Sequence, residues 1–249
     1  MNKRSLLLGV CLLGLPTLGA AEELEGDYLY KVTTIRAASG ALADLLDWEA
    51  QLGTSDYYDE AGLERPLVMR HSQGDQWDLL VITPMRSWTD YHSREATRKR
   101  SDAATDHSNL IATGQGFFAF YEDHFAYGPP WSMLETAYAE NDFYHIEMFL
   151  AAPGKADELL EQRRMENTYL ASTGQTPNMI FRRAAGSDVD IFTIGFHRSF
   201  EAFAAPADVT DEEKERAAKA AGFKGLSDIS FYLRSLISGH HDTLAVKVD

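Results

Sequence analysis

Cysteine is almost missing from this chain of 249 residues: the single one, Cys11, lies close to the start. One thiol cannot close an intramolecular disulfide or build a thiolate metal centre. Basic residues are also scarce, with 23 Lys plus Arg against 38 Asp plus Glu and a formal net charge of -15. Holding a phosphate backbone takes clustered cations that displace counterions, so this balance argues against nucleic acid and against an anionic membrane surface. No glycine-rich phosphate loop, Gly-x-Ser-x-Gly elbow or His-Glu-x-x-His helix occurs, which argues against nucleotide-dependent chemistry, serine hydrolysis and zinc proteolysis. After residue 20 no apolar run approaches the roughly 20 residues of a membrane-spanning helix.

At the start stands a targeting segment. Met1-Asn2-Lys3-Arg4 is a cationic lead, Ser5 to Leu18 an apolar run broken by Gly9, Gly14 and Pro16, and Leu18-Gly19-Ala20-Ala21 a small-residue cleavage site. This pattern predicts a signal peptide over residues 1–20 and a periplasmic or secreted product that is not held in the membrane after cleavage. Removing residues 1–20 takes away Lys3, Arg4 and the cysteine but no acid, leaving 21 basic and 38 acidic residues, a balance of -17. With 45% hydrophobic and 24% charged residues, the composition is that of a globular protein with an ample core.

The body of the chain is one unit written twice. Gly74, Asp78, Ile82 and Arg86-Ser87-Trp88 recur as Gly186, Asp190, Ile194 and Arg198-Ser199-Phe200 at an offset of 112 residues, and Tyr30, Gly40 and Leu45-Leu46 recur as Tyr144, Gly154 and Leu159-Leu160 at 114. Tyr28 to Arg36 and Phe143 to Leu150 are aromatic and β-branched and predict strands. Ala41 to Leu52 and Lys155 to Ala171 space Leu and Ala as amphipathic helices do. Leu67–His71 with Asp78–Thr83, and Asn178–Arg183 with Asp190–Phe196, predict hairpins around Gly74 and Gly186. Ser87 and Ser199 are placed to cap second helices. The second helical region runs on through Phe117–Tyr121 in the first unit; in the second it carries an acidic insertion, Asp208–Glu215, before Phe231-Tyr232-Leu233. Strands at Phe125–Tyr127 and Thr243–Val248 close the units.

The predicted fold class is therefore α+β: two tandem ferredoxin-like β-α-β-β-α-β repeats, residues 21–130 and 142–249, joined by a linker at 131–141 and packed sheet to sheet as an intramolecular α+β barrel. The strands Trp77-Asp78-Leu79-Leu80-Val81-Ile82 and Asp190-Ile191-Phe192-Thr193-Ile194, each running into Arg-Ser-aromatic, and the Leu-Leu helix after the first strand resemble the dimeric α+β barrel superfamily, in particular its NIPSNAP-type and antibiotic-biosynthesis-monooxygenase-type members. The resemblance spans nearly the whole chain after residue 20. It implies a function drawn from cofactor-free monooxygenases, haem enzymes, isomerases or non-catalytic members, and it places no catalytic motif on particular residues.

Strand alternation puts Tyr144, Ile146 and Met148 on one face and Phe143, His145, Glu147 and Phe149 on the other, with Lys31 and Thr33 equivalent to His145 and Glu147. If the second face lines the barrel interior, His145, Glu147 and Lys31 form a catalytic group; if not, they are paired structural residues. Arg70 and Arg182 occupy matched positions and are candidates for an anionic group of a ligand, or structural partners of Asp78 and Asp190. An internal cavity lined by Tyr30, Trp77, Phe143 and Phe149 would take a small apolar or aromatic molecule. The alternative readings are a non-catalytic envelope scaffold or partner-binding protein and a haem-handling protein. No cofactor is expected, with haem kept as the exception. No metal site is expected either: His240-His241-Asp242 reads as a surface turn, because adjacent strand histidines point apart. The oligomeric state is left open.

Overall fold

A computed structural model describes residues 24–248, so the predicted signal peptide and its cleavage site lie outside the described residues. The first half runs β1 (Tyr28–Ala37), α1 (Leu42–Thr54), α2 (Tyr57–Ala61), β2 (Leu67–Gln73), β3 (Leu79–Arg86), α3 (Trp88–Tyr91), α4 (Arg94–Asp106), α5 (Ser108–Gln115) and β4 (Phe118–Gly128). After α6 (Trp131–Glu140), the second half runs β5 (Phe143–Ala151), α7 (Ala156–Ser172), β6 (Met179–Ala185), β7 (Ile191–His197), α8 (Phe200–Ala204), α9 (Asp211–Ala220), α10 (Asp228–Leu236) and β8 (Ile237–Lys247). Among the described residues no helix is long and apolar enough to cross a membrane.

The eight strands close one antiparallel barrel in the order β1-β3-β2-β8-β5-β7-β6-β4, so the strands of each half stay together. The longest ladders lie inside a half: β1 pairs with β4 from Tyr28 to Ala37, and β5 with β8 from Phe143 to Ala151. The two seams between halves are short, Met69–Gln73 with Leu244–Lys247 and Phe125–Tyr127 with Arg182–Ala185. Each hairpin turn has its glycine at positive φ, Gly74 at 121° and Gly186 at 93°. A Cβ on Gly74 would stand 2.0 Å from the Asp242 carbonyl oxygen, which only glycine avoids.

Every strand sends alternate residues inward. Tyr30, Val32, Met69, Ile82, Ala126, Tyr144, Ile146, Phe181, Phe192, Ile194 and Ala245 belong to one buried apolar cluster, with the Phe181 and Phe192 rings stacked 4.5 Å apart. The interior is thus a packed core. The outer faces are covered by helices: α1 seats Leu45, Trp48 and Leu52 on β1 and β3, while α7 seats Leu159 against Phe149, Ile180 and Ile191. Ser87 and Ser199 cap their helices as expected, accepting from the Asp90 and Ala202 N–H groups.

Three expectations need correction. The segment read as a linker, 131–141, holds helix α6, and its Leu134 is fully buried in the barrel core. It closes one barrel end, where the Tyr30 hydroxyl donates to Pro129 O at 2.6 Å and that of Tyr138 to Val68 O at 2.7 Å. Phe118–Tyr121 are strand, not helix, because β4 is paired along β1 as far as Phe118–Ala37. His240 and His241 lie within β8 rather than in a turn. The acidic insertion is itself ordered: Thr210 and Glu213 form a reciprocal capping box that starts α9.

Candidate functional site

The inward set, Tyr30, Tyr144, Ile146 and Met148, fixes the other face of β1 and β5 as the one toward the helices. Lys31, Phe143, His145, Glu147 and Phe149 therefore face outward, against the expectation of an interior group. β1 and β5 are four positions apart in a ring of eight strands, so Lys31 lies across the barrel from His145 and Glu147. Tyr30 and Trp77 are core residues of the interior, where Phe143 and Phe149 do not reach. The expected four-residue cavity does not form, since a barrel this narrow fills with side chains. Two separate polar sites result, one under the helices of each half.

The first is a cleft of about 330 Å3 between the outer face of β1 and β3 and helices α1, α2, α4 and α5. Aromatic side chains form part of its wall: Trp48, Tyr57, Tyr58, Tyr91, Phe118 and Tyr121 line it with aliphatic groups and with Lys31, Thr33, Glu49, Arg100 and Asp123. Trp48 is fixed by donating from Nε1 to Leu110 O at 2.8 Å, and it packs where Gly114 leaves room, since a Cβ there would be 1.9 Å from its ring. On the sheet side, Thr33 donates to Asp123 Oδ1 at 2.5 Å and the Lys31 ammonium stands 3.7 Å from the same oxygen. Glu49 enters from α1. It is 7% exposed and has no hydrogen-bond or ion-pair partner among the described residues, and burial lifts its carboxyl from 4.5 to about 7. Burial, and then the nearby Glu49 charge, also raises the Tyr58 hydroxyl. A carboxyl poised near neutrality in an aromatic cleft, with an ammonium among the lining groups, can accept a proton from a bound molecule and balance the charge left behind.

The second site is a polar cluster under α7. The Arg163 side chain, 1% exposed, donates to Glu147 Oε2 at 3.5 Å and to Glu166, and its guanidinium lies 4.6 Å over the Phe149 ring. Asp242 on β8 stands 3.4 Å from His145 Nε2 and 2.9 Å from His240 Nε2. Burial raises Glu147, although Arg163 opposes it. For His145 burial pulls downward, but the Asp242 hydrogen bond and the surrounding carboxylates outweigh it and the imidazole stands above its ordinary value. Asp242 is held low by the His145 hydrogen bond.

Arg70 and Arg182 both face outward, and neither joins these sites. Arg182 pairs with Asp27 at 2.7 Å, while its neighbour Arg183 takes Asp190 at 2.6 Å. Asp78 and Asp190 also accept the Ala37 and Ala151 N–H groups, each at 2.8 Å, a matched structural duty in the two halves. Sequence reasoning missed Glu49 and Arg163. Each sits one turn after the matched Leu45 or Leu159 on the sheet-facing side of its helix, and a charge at such a core position was the readable signal.

A third hollow, of about 430 Å3, opens at the barrel end opposite α6 and is lined by Trp77, His124, Met148 and the acids Asp75, Glu122 and Asp188. His124 is buried there, its pKa pushed down to about 4 by burial, and its Nε2 has no partner among the described residues. The aromatic cleft has no histidine in its lining to ligate a haem iron, and the hollow that holds His124 and His241 is lined by acids where haem propionates need cations.

No family model matches the chain, and no curated protein matches it in sequence. Its likeness is to solved structures. An anthrone oxidase-like protein superposes with a TM-score of 0.54 at 14% identity, over 92% of this chain and 94% of that one. A protein provisionally assigned as a monooxygenase from Fusobacterium nucleatum gives 0.52 at 8%, over 90% and 94%. Another, from Lactobacillus acidophilus NCFM, gives 0.51 at 10%, over 89% and 94%. At these identities what is shared is the fold, a closed antiparallel barrel with helices on its outer face.

Proposed function

We propose that the protein binds a small aromatic molecule bearing a weakly acidic C–H or O–H group in the cleft of the first half and oxygenates it with dioxygen, Glu49 being the proton acceptor. The observation that carries this reading is the unpartnered Glu49 carboxyl, at about 7, among aromatic walls. The rings of Trp48, Tyr57 and Phe118 offer stacking surface to a planar ligand. The Lys31 ammonium supplies countercharge to the anion formed when Glu49 takes the proton. For a methylene flanked by two aromatic rings, one dioxygen converts the methylene to a ketone and releases one water. The carbon loses its two hydrogens and four electrons, and the two oxygen atoms that gain the electrons end in the ketone and in water. The anthrone oxidase-like neighbour supports this substrate class.

The reading includes two further elements. The chain is a tandem ferredoxin-like duplication, and it is exported after loss of residues 1–20, which amino-terminal sequencing of the protein recovered from the cell envelope tests. For the activity, anthrone is the probe. Purified protein quenches in Trp fluorescence on adding anthrone, then consumes dioxygen and forms anthraquinone in equal amounts. Glu49→Gln keeps the quenching and loses about 100-fold or more in rate, the scale of a removed general base. Equal rates in the two proteins, or no quenching by anthrone, would overturn the assignment.

A further inference from the structure

The two halves place different chemistry at equivalent positions. In the first, Asp123 is answered by the ammonium of Lys31 and accepts from Thr33. In the second, the register puts Asp242 opposite Glu147 just as it puts Asp123 opposite Thr33. Lys31 is replaced there by His145 and Thr33 by Glu147, so the ammonium is gone and a carboxylate is added. Glu147 and Glu166 then share the single guanidinium of Arg163, and Asp242 has only the imidazoles of His145 and His240 beside it. The cluster thus gathers three carboxyl groups around one guanidinium, and part of it is buried, where uncompensated charge is costly.

We propose that this excess is met by a divalent transition-metal ion of the zinc class, ligated by His145 Nε2 and by carboxylate oxygens of Glu147 and Asp242. One ligand atom from each of the three lies within 4.8 Å of the others. A tetrahedral ion about 2.1 Å from its ligands holds them about 3.4 Å apart. His145 Nε2 and Asp242 Oδ1 are 3.4 Å apart, the separation of two atoms facing one such ion. A carboxylate oxygen of Glu147 lies within 4.8 Å of both. The remaining partners are in place: His240 donates to the other oxygen of Asp242 at 2.9 Å, and Arg163 and Thr193 address Glu147 Oε2 at 3.5 and 3.4 Å, leaving Oε1 for the ion. Asp242 is half exposed, so the site opens to solvent and has room for water as a fourth ligand. An imidazole with two carboxylates suits zinc or manganese over magnesium, which avoids nitrogen.

The test is equilibrium dialysis of tag-free, chelator-stripped full-length protein against Zn2+, with thermal melting of the same samples. The expected result is one ion per chain and a rise in Tm on Zn2+ addition. Asp242→Asn and His145→Lys, which restores the cation of the first half, weaken binding by about 100-fold or more and abolish the rise. Melting of each variant without metal shows that it folds. His241→Ala, on the opposite face of β8, leaves binding unchanged. Failure to bind Zn2+, equal retention of Mg2+, or loss through His241→Ala but not through His145→Lys would overturn the proposal. None of these readouts involves anthrone or Glu49, so the site stands or falls apart from the oxygenase reading.

Discussion

Replacing Glu49 by Gln isolates what its burial does to the fold. An ordinary glutamate ionises at 4.5, and the folded chain holds this one at about 7. A folded pKa above the unfolded one means that the unfolded chain releases the proton first. Stability is therefore complete below pH 4.5 and declines as pH rises to about 7 and past it. At about 1.4 kcal/mol for each pH unit between the two values, the ionised carboxylate is about 3 kcal/mol less favourable in the folded protein. Glutamine fills nearly the same volume and does not titrate. Urea unfolding of both proteins, followed by far-ultraviolet circular dichroism at intervals from pH 4.5 to 8.5, separates this group from all others, because their titrations cancel in the difference. The stability of Glu49→Gln relative to the parent rises by about 3 kcal/mol across the range and levels off above pH 8. In a chain of this size that corresponds to roughly 6–12 °C in Tm. A difference constant to within about 0.5 kcal/mol over the whole range would refute the claim that the carboxyl is buried and unpartnered, and with it the reason for assigning it the proton.

Other perturbations reach other parts of the molecule. Arg163→Met leaves Glu147 without its buried counter-ion and costs about 3–5 kcal/mol in urea unfolding; a loss under 1 kcal/mol would show that the pair is not desolvated. Leu134→Ala opens a hole in the barrel core and costs about 2–5 kcal/mol, whereas a helix serving only as a spacer would lose less than 0.5. Gly114→Ala drives a methyl group into the Trp48 ring and displaces it from the cleft. It costs about 1–3 kcal/mol and removes anthrone quenching, and unchanged quenching would show that Trp48 does not shape the cleft.

Much of the architecture was legible from local marks in the sequence. Paired glycines, the Asp78 and Asp190 positions and the Arg-Ser-aromatic caps announced strands, turns and helix starts that the structure places where the spacing puts them. The interior face was not legible. In a barrel wrapped by helices both faces of a strand are buried, so alternation names two sets without saying which is inside; polar His145 and Glu147 go outward because the narrow interior admits only close-packed apolar groups. Helix α6 was missed because Gly128-Pro129-Pro130 reads as a break, yet proline is well suited to the start of a helix and Leu134, Ala137 and Tyr138 then follow on one face. Glu49 was missed because a lone acid in a helix normally points to water. Only its neighbours Leu45, Trp48 and Leu52 reveal that this one does not.

The barrel has no free edge, but the two seams that join its halves are short ladders, and if both part, the halves separate with α6 between them along the chain. Parting exposes β2, β4, β6 and β8 together, four strands whose complements are carried by every other copy of the same protein. At high concentration two opened chains can close each other's rings, giving a swapped pair in which every ladder is native and each completed barrel is built from two polypeptides.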